Sequence, residues 1–162
     1  MHSKIITLSL EPVVDSLLYE DELVENGFVP WIADYADSLI DDDCKDAIIQ
    51  DWISCLGKAY GAEYFSQTNQ TVVFHKGFKM KFFITMMERL QKEMHERMPK
   101  SLDDYKVSDF LFLRYRLKSL INDRYGLYIY SDNMGLQTAY DFYGSLTEEI
   151  PYYFGNVVDY HF

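Results

Sequence analysis

The chain has 162 residues, 48% of them hydrophobic and 17% aromatic, which suits one folded domain and excludes an acidic disordered tail. Its formal net charge of −11 sets it against nucleic acid and anionic membranes and favours basic partners. No stretch approaches the roughly 18 uninterrupted apolar residues of a membrane span. Glu11 and Asp15 stand where a signal peptide would be cleaved, so a cytoplasmic protein is expected.

Lys4–Leu10 alternates weakly, as an edge strand can. The stretch EPVVDSLLYEDELVENG predicts a helix, with Pro12 in its first turn, Gly27 as its stop, and Val13, Val14, Leu17, Leu18 and Leu23 as its apolar stripe. Glu20, Asp21, Glu22 and Glu25 cover the other side. A second helix is expected from Pro30 through Ile40, where Trp31, Ile32, Tyr35, Ala36 and Leu39 recur at helical spacing beside Asp34 and Asp37. Asp41, Asp42 and Asp43 suit the mouth of a third helix, because carboxylates there cap free N–H groups and favour the dipole. Asp46 follows them, and Ala47, Ile48, Trp52, Cys55 and Leu56 form the expected core face, ended by Gly57 or Gly61. Cys44 and Cys55 lie about three helical turns apart, too far to bridge, and read as reduced thiols.

EYFSQTNQ reads as a polar link and TVVFHKGF as a strand turning at Lys76–Gly77. FKMKFFITMMERLQKEMHERMP predicts a helix with Phe82, Phe83, Met86, Met87, Leu90 and Met94 inward, stopped by Pro99. Glu88 with Lys92 and Glu93 with Arg97 pair along its exposed face. SDFLFLRYRLKSLINDRYG fits a strand through Leu111, Leu113, Tyr115 and Leu117, and fits a helix through Phe110, Leu113, Leu117, Leu120 and Ile121. Its length and Ser108 as a cap favour the helix, ending at Gly126. LYIYSDN is then a strand, LQTAYDFYGSL a short helix or irregular segment, and GNVVDYHF a terminal strand. The expectation is one α+β domain over residues 1–162, helix-rich, with a small, mostly antiparallel sheet. Its first third is acidic and helical, its central helices are basic, and its last third is acidic and tyrosine-rich.

Residue patterns for chemistry are absent. His2, His75, His95 and His161 have no second His or Cys at metal-ligand spacing, and no nucleophile elbow, phosphate-binding glycine loop or dinucleotide fingerprint occurs. The expectation is a protein that is not an enzyme and holds no metal and no cofactor. The basic cluster Lys76, Lys79, Lys81, Arg89, Lys92, Arg97 and Lys100 reads as a charge-balanced helix, so no direct nucleic-acid binding is expected. The stripe Met86, Met87, Met94 and Met98 reads as core. Ten of the fourteen tyrosines follow residue 104, interleaved with Asp132, Asp141, Glu148, Glu149 and Asp159. Tyr140, Tyr143, Tyr152 and Tyr153 are therefore candidates for a surface that meets arginines.

Eleven carboxylates fall between Glu20 and Asp51. On helices rising about 1.5 Å per residue this is roughly one charge per 4 Å, against one per about 3.4 Å of a single DNA strand. Within this stretch VPWIADYADSLID resembles a segment of small acidic proteins carried by phages and conjugative elements, and GNVVDYHF is similar in kind, together about 20 of 162 residues. The resemblance implies a mobile-element origin and an anti-defence role of the anti-CRISPR or antirestriction type, and it transfers no site residues. The function expected is a non-enzymatic inhibitor that enters the basic nucleic-acid cleft of a host defence nuclease. Glu20, Asp21, Glu22, Glu25, Asp34, Asp37, Asp41 and Asp46 would supply the charge and the tyrosines the buried area. An immunity-type protein neutralising a toxin nuclease, or an oligomeric structural or regulatory protein of the element, stands as the alternative, and a homodimer is left open.

Overall fold

An eleven-residue strand, Pro151–His161, organises the sheet in this computed structural model, which describes residues 1–38, 42–98, 106–121 and 124–162. In chain order the strands are β1 (His2–Ser9), β2 (Tyr35–Ser38), β3 (Phe65–Gln67), β4 (Thr71–Phe74), β5 (Tyr128–Ser131), β6 (Gly135–Thr138) and β7 (Pro151–His161). Among the described residues these seven form one mixed sheet. One edge of β7 pairs antiparallel with β1, from His161 opposite His2 to Tyr153 opposite Ser9. The other edge takes β4 at residues 151–153 and β2 at 158–161. β1 runs parallel to β5, and the antiparallel pairs β5–β6 and β3–β4 complete the sheet.

The helices are α1 (Glu20–Glu25), α2 (Phe28–Trp31), α3 (Asp42–Tyr60), α4 (Phe78–Arg97), α5 (Val107–Ile121) and α6 (Ala139–Ser145). Ile49, Trp52, Leu56 and Tyr60 of α3, Phe78 of α4 and Phe142 of α6 cover one sheet face, over Ile6, Leu8, Ile129 and Val157. Leu18, Leu23 and Phe28 cover the opposite face, over Ile5, Tyr128, Val158 and Tyr160. The fold is α+β, as expected, but the sheet is larger than expected and mixed.

Several local expectations are corrected. β1 is hydrogen-bonded on both sides and is no edge strand. Ile5, Ile6 and Leu8 are fully buried, and a strand covered on both faces loses its clean alternation. The first predicted helix shrinks to α1, because the chain before it is bound elsewhere. The Leu17 N–H donates to Asn156 Oδ1 at 3.0 Å, and Asn156 Nδ2 donates to the Leu18 carbonyl at 2.8 Å. Gly27 takes φ 74°, which fits a glycine after the helix end.

The second predicted helix is one turn followed by a strand. The Asp34 N–H donates to the His161 carbonyl, and Tyr35–Ser38 pair with residues 158–161. A free edge of β7 thus overrides a helical pattern in the local sequence. Helix α3 begins at the aspartate run, at Asp42, and Gly61 follows its end with φ 103°. Its buried face is Ile49, Trp52, Ile53, Leu56 and Tyr60, rotated from the expected one, and Ala47 and Cys55 are exposed. Part of the supposed link forms β3. In α4 only Phe78 and Met86 are buried, while Phe83, Met87 and Met94, expected inward, face solvent. α5 is a helix, as chosen, yet none of its described side chains is buried and Phe110 is exposed. Leu39, Ile40, Asp41, Pro99 and Lys100 lie outside the described residues.

Gly155 permits a close approach of β7 to Thr7 and Leu17. A Cβ there would overlap Thr7 Oγ1 and come within 2.8 Å of Leu17 Cδ1.

Candidate functional site

The acidic residues do not form a helical hairpin; they wrap one edge of the sheet. α1 presents Glu20, Asp21, Glu22 and Glu25 while Leu23 anchors it to one face. Asp34 and Asp37 lie on and beside β2, and Asp46 sits near the start of α3, which packs on the opposite face. Asp41 lies outside the described residues. The comparison with the charge spacing of a DNA strand therefore fails, since the charges sit on three separate elements. What persists is their exposure. Asp21, Glu25, Asp37 and Asp46 are solvent-facing and make no ion pair among the described residues. Glu22 accepts the Tyr19 N–H at 2.8 Å at the start of α1, and Asp34 lies 3.3 Å from His161 Nδ1. Those two carboxylates serve the fold.

Two aromatic side chains stand among these charges. Trp31 is 73% exposed and Tyr35 is 50% exposed. The helical spacing suggested that both were buried. The Tyr35 ring stacks on His161 with centroids 5.3 Å apart, and Arg124 lies 5.9 Å from the Trp31 ring while its Nη2 donates to the Trp31 carbonyl.

The tyrosine-rich third is mainly interior. Tyr143 and Tyr152 are buried, which corrects their expected place on a surface. Their rings pack edge-on in an aromatic cluster with Tyr60, Phe74, Phe78 and Phe142. The Tyr152 hydroxyl bonds to Thr147, and burial pushes both phenols up from their usual pKa. Tyr140 and Tyr153 are half-buried. Glu148 and Glu149, which the sequence placed among partner-facing acids, bind backbone instead. Glu148 accepts the N–H groups of Gly77 and Lys79 at the start of α4, and Glu149 accepts that of Lys76.

On the α3 side of the sheet lies a half-open cleft of about 490 Å³. Its walls are the first residues of β1, the inner side of α3 and the first turn of α6, with Arg89 reaching in from α4. At one end Asp159 accepts Lys4 Nζ at 2.5 Å and His2 Nδ1 at 2.8 Å. Trp52, Tyr60, Tyr140 and Tyr143 line the middle. Burial pushes Tyr60 up to about 12, against a lowering by the Arg89 guanidinium 6.0 Å from its ring. The phenol is therefore a neutral hydrogen-bond donor near pH 7. Sequence reasoning missed this cleft, because its residues come from five separated segments. The one local signal was Arg89, on the helix face that also carries Phe82 and Met86.

Among the described residues no helix is long and apolar enough to cross a membrane. No protein-family model matches the chain, and comparison with curated proteins and with solved structures finds no match.

Proposed function

We propose that this protein is a non-enzymatic inhibitor carried by a mobile genetic element, acting in the cytoplasm of a bacterial host. Its acidic edge enters the basic nucleic-acid cleft of a defence nuclease, a CRISPR effector or a restriction enzyme. One observation carries this reading. Carboxylates that make no ion pair among the described residues, Asp21, Glu25, Asp37 and Asp46, flank exposed Trp31 and Tyr35 along the chain segments at this edge. Charge steers encounter with a basic cleft, while exposed aromatics supply the desolvated anchors on which affinity depends. The edge substitutes for the electrostatic potential of nucleic acid, not for its phosphate spacing. Capture with tagged protein from a bacterial lysate tests the reading. A basic nuclease recovered at low salt, released as salt rises and blocked from its DNA supports it; a captured partner without a basic cleft removes it.

A second reading, homodimerisation, is favoured by α4. Met80, Ile84, Met87, Gln91, Met94 and Met98 recur in steps of four and three on the side away from the sheet, the spacing of a coiled-coil seam. The five apolar members remain 44–63% exposed. α5 packs against α4 through Glu93, which takes Arg97 at 2.7 Å and Arg116 at 3.1 Å, and it exposes Val107, Phe110, Leu111, Phe112 and Tyr115. At roughly 200 Å² per large side chain, half exposed, these residues leave about 1,000 Å² of apolar surface per chain. A standard interface needs about 800 Å² from each partner. A second copy of the chain that covers both the α4 seam and the exposed side of α5 satisfies that area. Sedimentation equilibrium over a range of concentrations tests it.

A further inference from the structure

The cleft between α3, α6 and β1 contains hydrogen-bonding capacity that the fold does not use. Among the described residues Arg97 and Arg116 share Glu93, and Arg124 bonds the Trp31 carbonyl. Arg89 is half-buried and has no carboxylate or carbonyl partner there; its only recorded neighbour is the Tyr60 ring. The hydroxyl of Tyr60, a residue only 3% exposed, makes no hydrogen bond among the described residues. The Tyr143 hydroxyl accepts from Trp52, and its own proton has no recorded acceptor. The Tyr60 and Tyr143 rings lie 6.0 Å apart, the Arg89 guanidinium lies 6.0 Å from the Tyr60 ring, and all three residues line the same cleft.

Unused donors at the wall of an apolar cleft describe an acceptor that is missing. An anionic acceptor suits the cleft best, since no carboxylate among the described residues pairs with the Arg89 guanidinium and charge-assisted hydrogen bonds are the strong ones. An apolar, flat carrier suits Ile6, Ile48, Leu56, Ala59 and the Trp52 ring, which line the cleft together with polar Ser3, Lys4 and Thr138. The volume falls within the range of small-molecule sites, roughly 300–1,000 Å³. We propose that the cleft binds a small aromatic anion, a carboxylate or phosphate ester, whose charged group meets Arg89 and the hydroxyls of Tyr60 and Tyr143. Its ring slots between Trp52 and the β1–α6 wall. Asp51 at the mouth keeps a second anionic group out, so the ligand carries its charge at one end only.

The test is isothermal titration of the folded protein with 1-naphthoate, with 1-naphthyl phosphate and with uncharged 1-naphthylmethanol. Trp52 fluorescence serves as a second readout. One equivalent of an anion should bind saturably, and the alcohol about tenfold more weakly, as loss of a charge-assisted contact requires. Tighter binding of one anion distinguishes a phosphate ester from a carboxylate. Arg89→Gln should weaken both anions by about tenfold, and Tyr60→Phe, which keeps the ring, by a few-fold. Met87→Lys on the far side of α4 should bind like the parent. The proposal is overturned if neither anion saturates the protein by about 1 mM, if the alcohol binds as tightly as the anions, or if folded Arg89→Gln is unchanged. Loss of binding in Met87→Lys also overturns it, by placing the probe on the exposed helix face.

Discussion

The indole Nε1 of Trp52 donates a 2.7 Å hydrogen bond to the hydroxyl of Tyr143, joining α3 to α6 inside the core. Tyr143→Phe removes the acceptor and leaves a buried N–H unsatisfied. The fold should lose about 1–3 kcal/mol, read from urea unfolding followed by tryptophan fluorescence. An unchanged midpoint would mean that Trp52 finds another acceptor.

Two glycines should respond oppositely to alanine. Gly155→Ala forces a methyl group onto Thr7 and Leu17 and should destabilise by about 1–3 kcal/mol. Gly57, inside α3, has only ordinary contacts waiting, with Phe65 at 3.6 Å and Ala62 at 3.9 Å. Gly57→Ala should therefore stabilise by about 0.5–1 kcal/mol through helix propensity. Thermal unfolding of the two variants beside the parent checks both signs.

Asp159 links folding to acid. Burial pushes its carboxyl up, but hydrogen bonds from Lys4 and His2 outweigh that and hold it below the ordinary value of 3.8. A carboxyl lowered on folding stabilises at pH above its unfolded pKa and loses that contribution as pH falls through the folded one. Asp159→Asn should thus be less stable than the parent near neutrality, with the gap closing below about pH 4. Urea unfolding at a series of pH values measures the gap; one that stays constant into acid would contradict the linkage.

Reversing Asp21, Glu25, Asp37 and Asp46 to lysine should weaken partner binding by more than about tenfold while circular dichroism stays native, because each change sets a cation against a basic cleft. Glu22 and Asp34 are spared because they bond within the fold. The parent's affinity should also fall steeply with salt. A folded variant that binds its captured partner undiminished would remove the acidic edge from consideration.

Met87→Lys with Met94→Lys puts two charges into the α4 seam without touching its buried side. A parent dimer should become monomeric by sedimentation, with unfolding little changed. A parent that is already monomeric at high concentration ends the dimer reading.

The long elements were legible because their patterns repeat. α3, α4 and β7 all appear near their expected places, and Gly27, Gly61 and Gly77 mark turns with positive φ. The acidic stretch misled because its apolar residues fit a helix of isolated sequence, while the backbone of Tyr35–Ser38 finds a better partner at residues 158–161 of β7. The orientation of α4 misled for a related reason. It carries apolar residues on both sides, and only contact with the sheet distinguishes Phe82 from Phe83. Tyr143 and Tyr152 were read as surface because tyrosine suits interfaces, yet Trp52 and Thr147 supply the polar partners that permit burial.

Because β7 holds β1, β2 and β4 together, the order of synthesis constrains how this protein folds. At about 5–20 residues per second, β7 follows β1 by roughly 7–30 s. Until β5 emerges Ile5–Leu8, fully buried in the finished fold, has neither of its strand partners, and until β7 follows it has only one. Pairing across most of the chain also makes the transition state slow to reach. A chain cut before residue 151 should therefore aggregate on expression, because the strand that joins β1, β2 and β4 comes after all three.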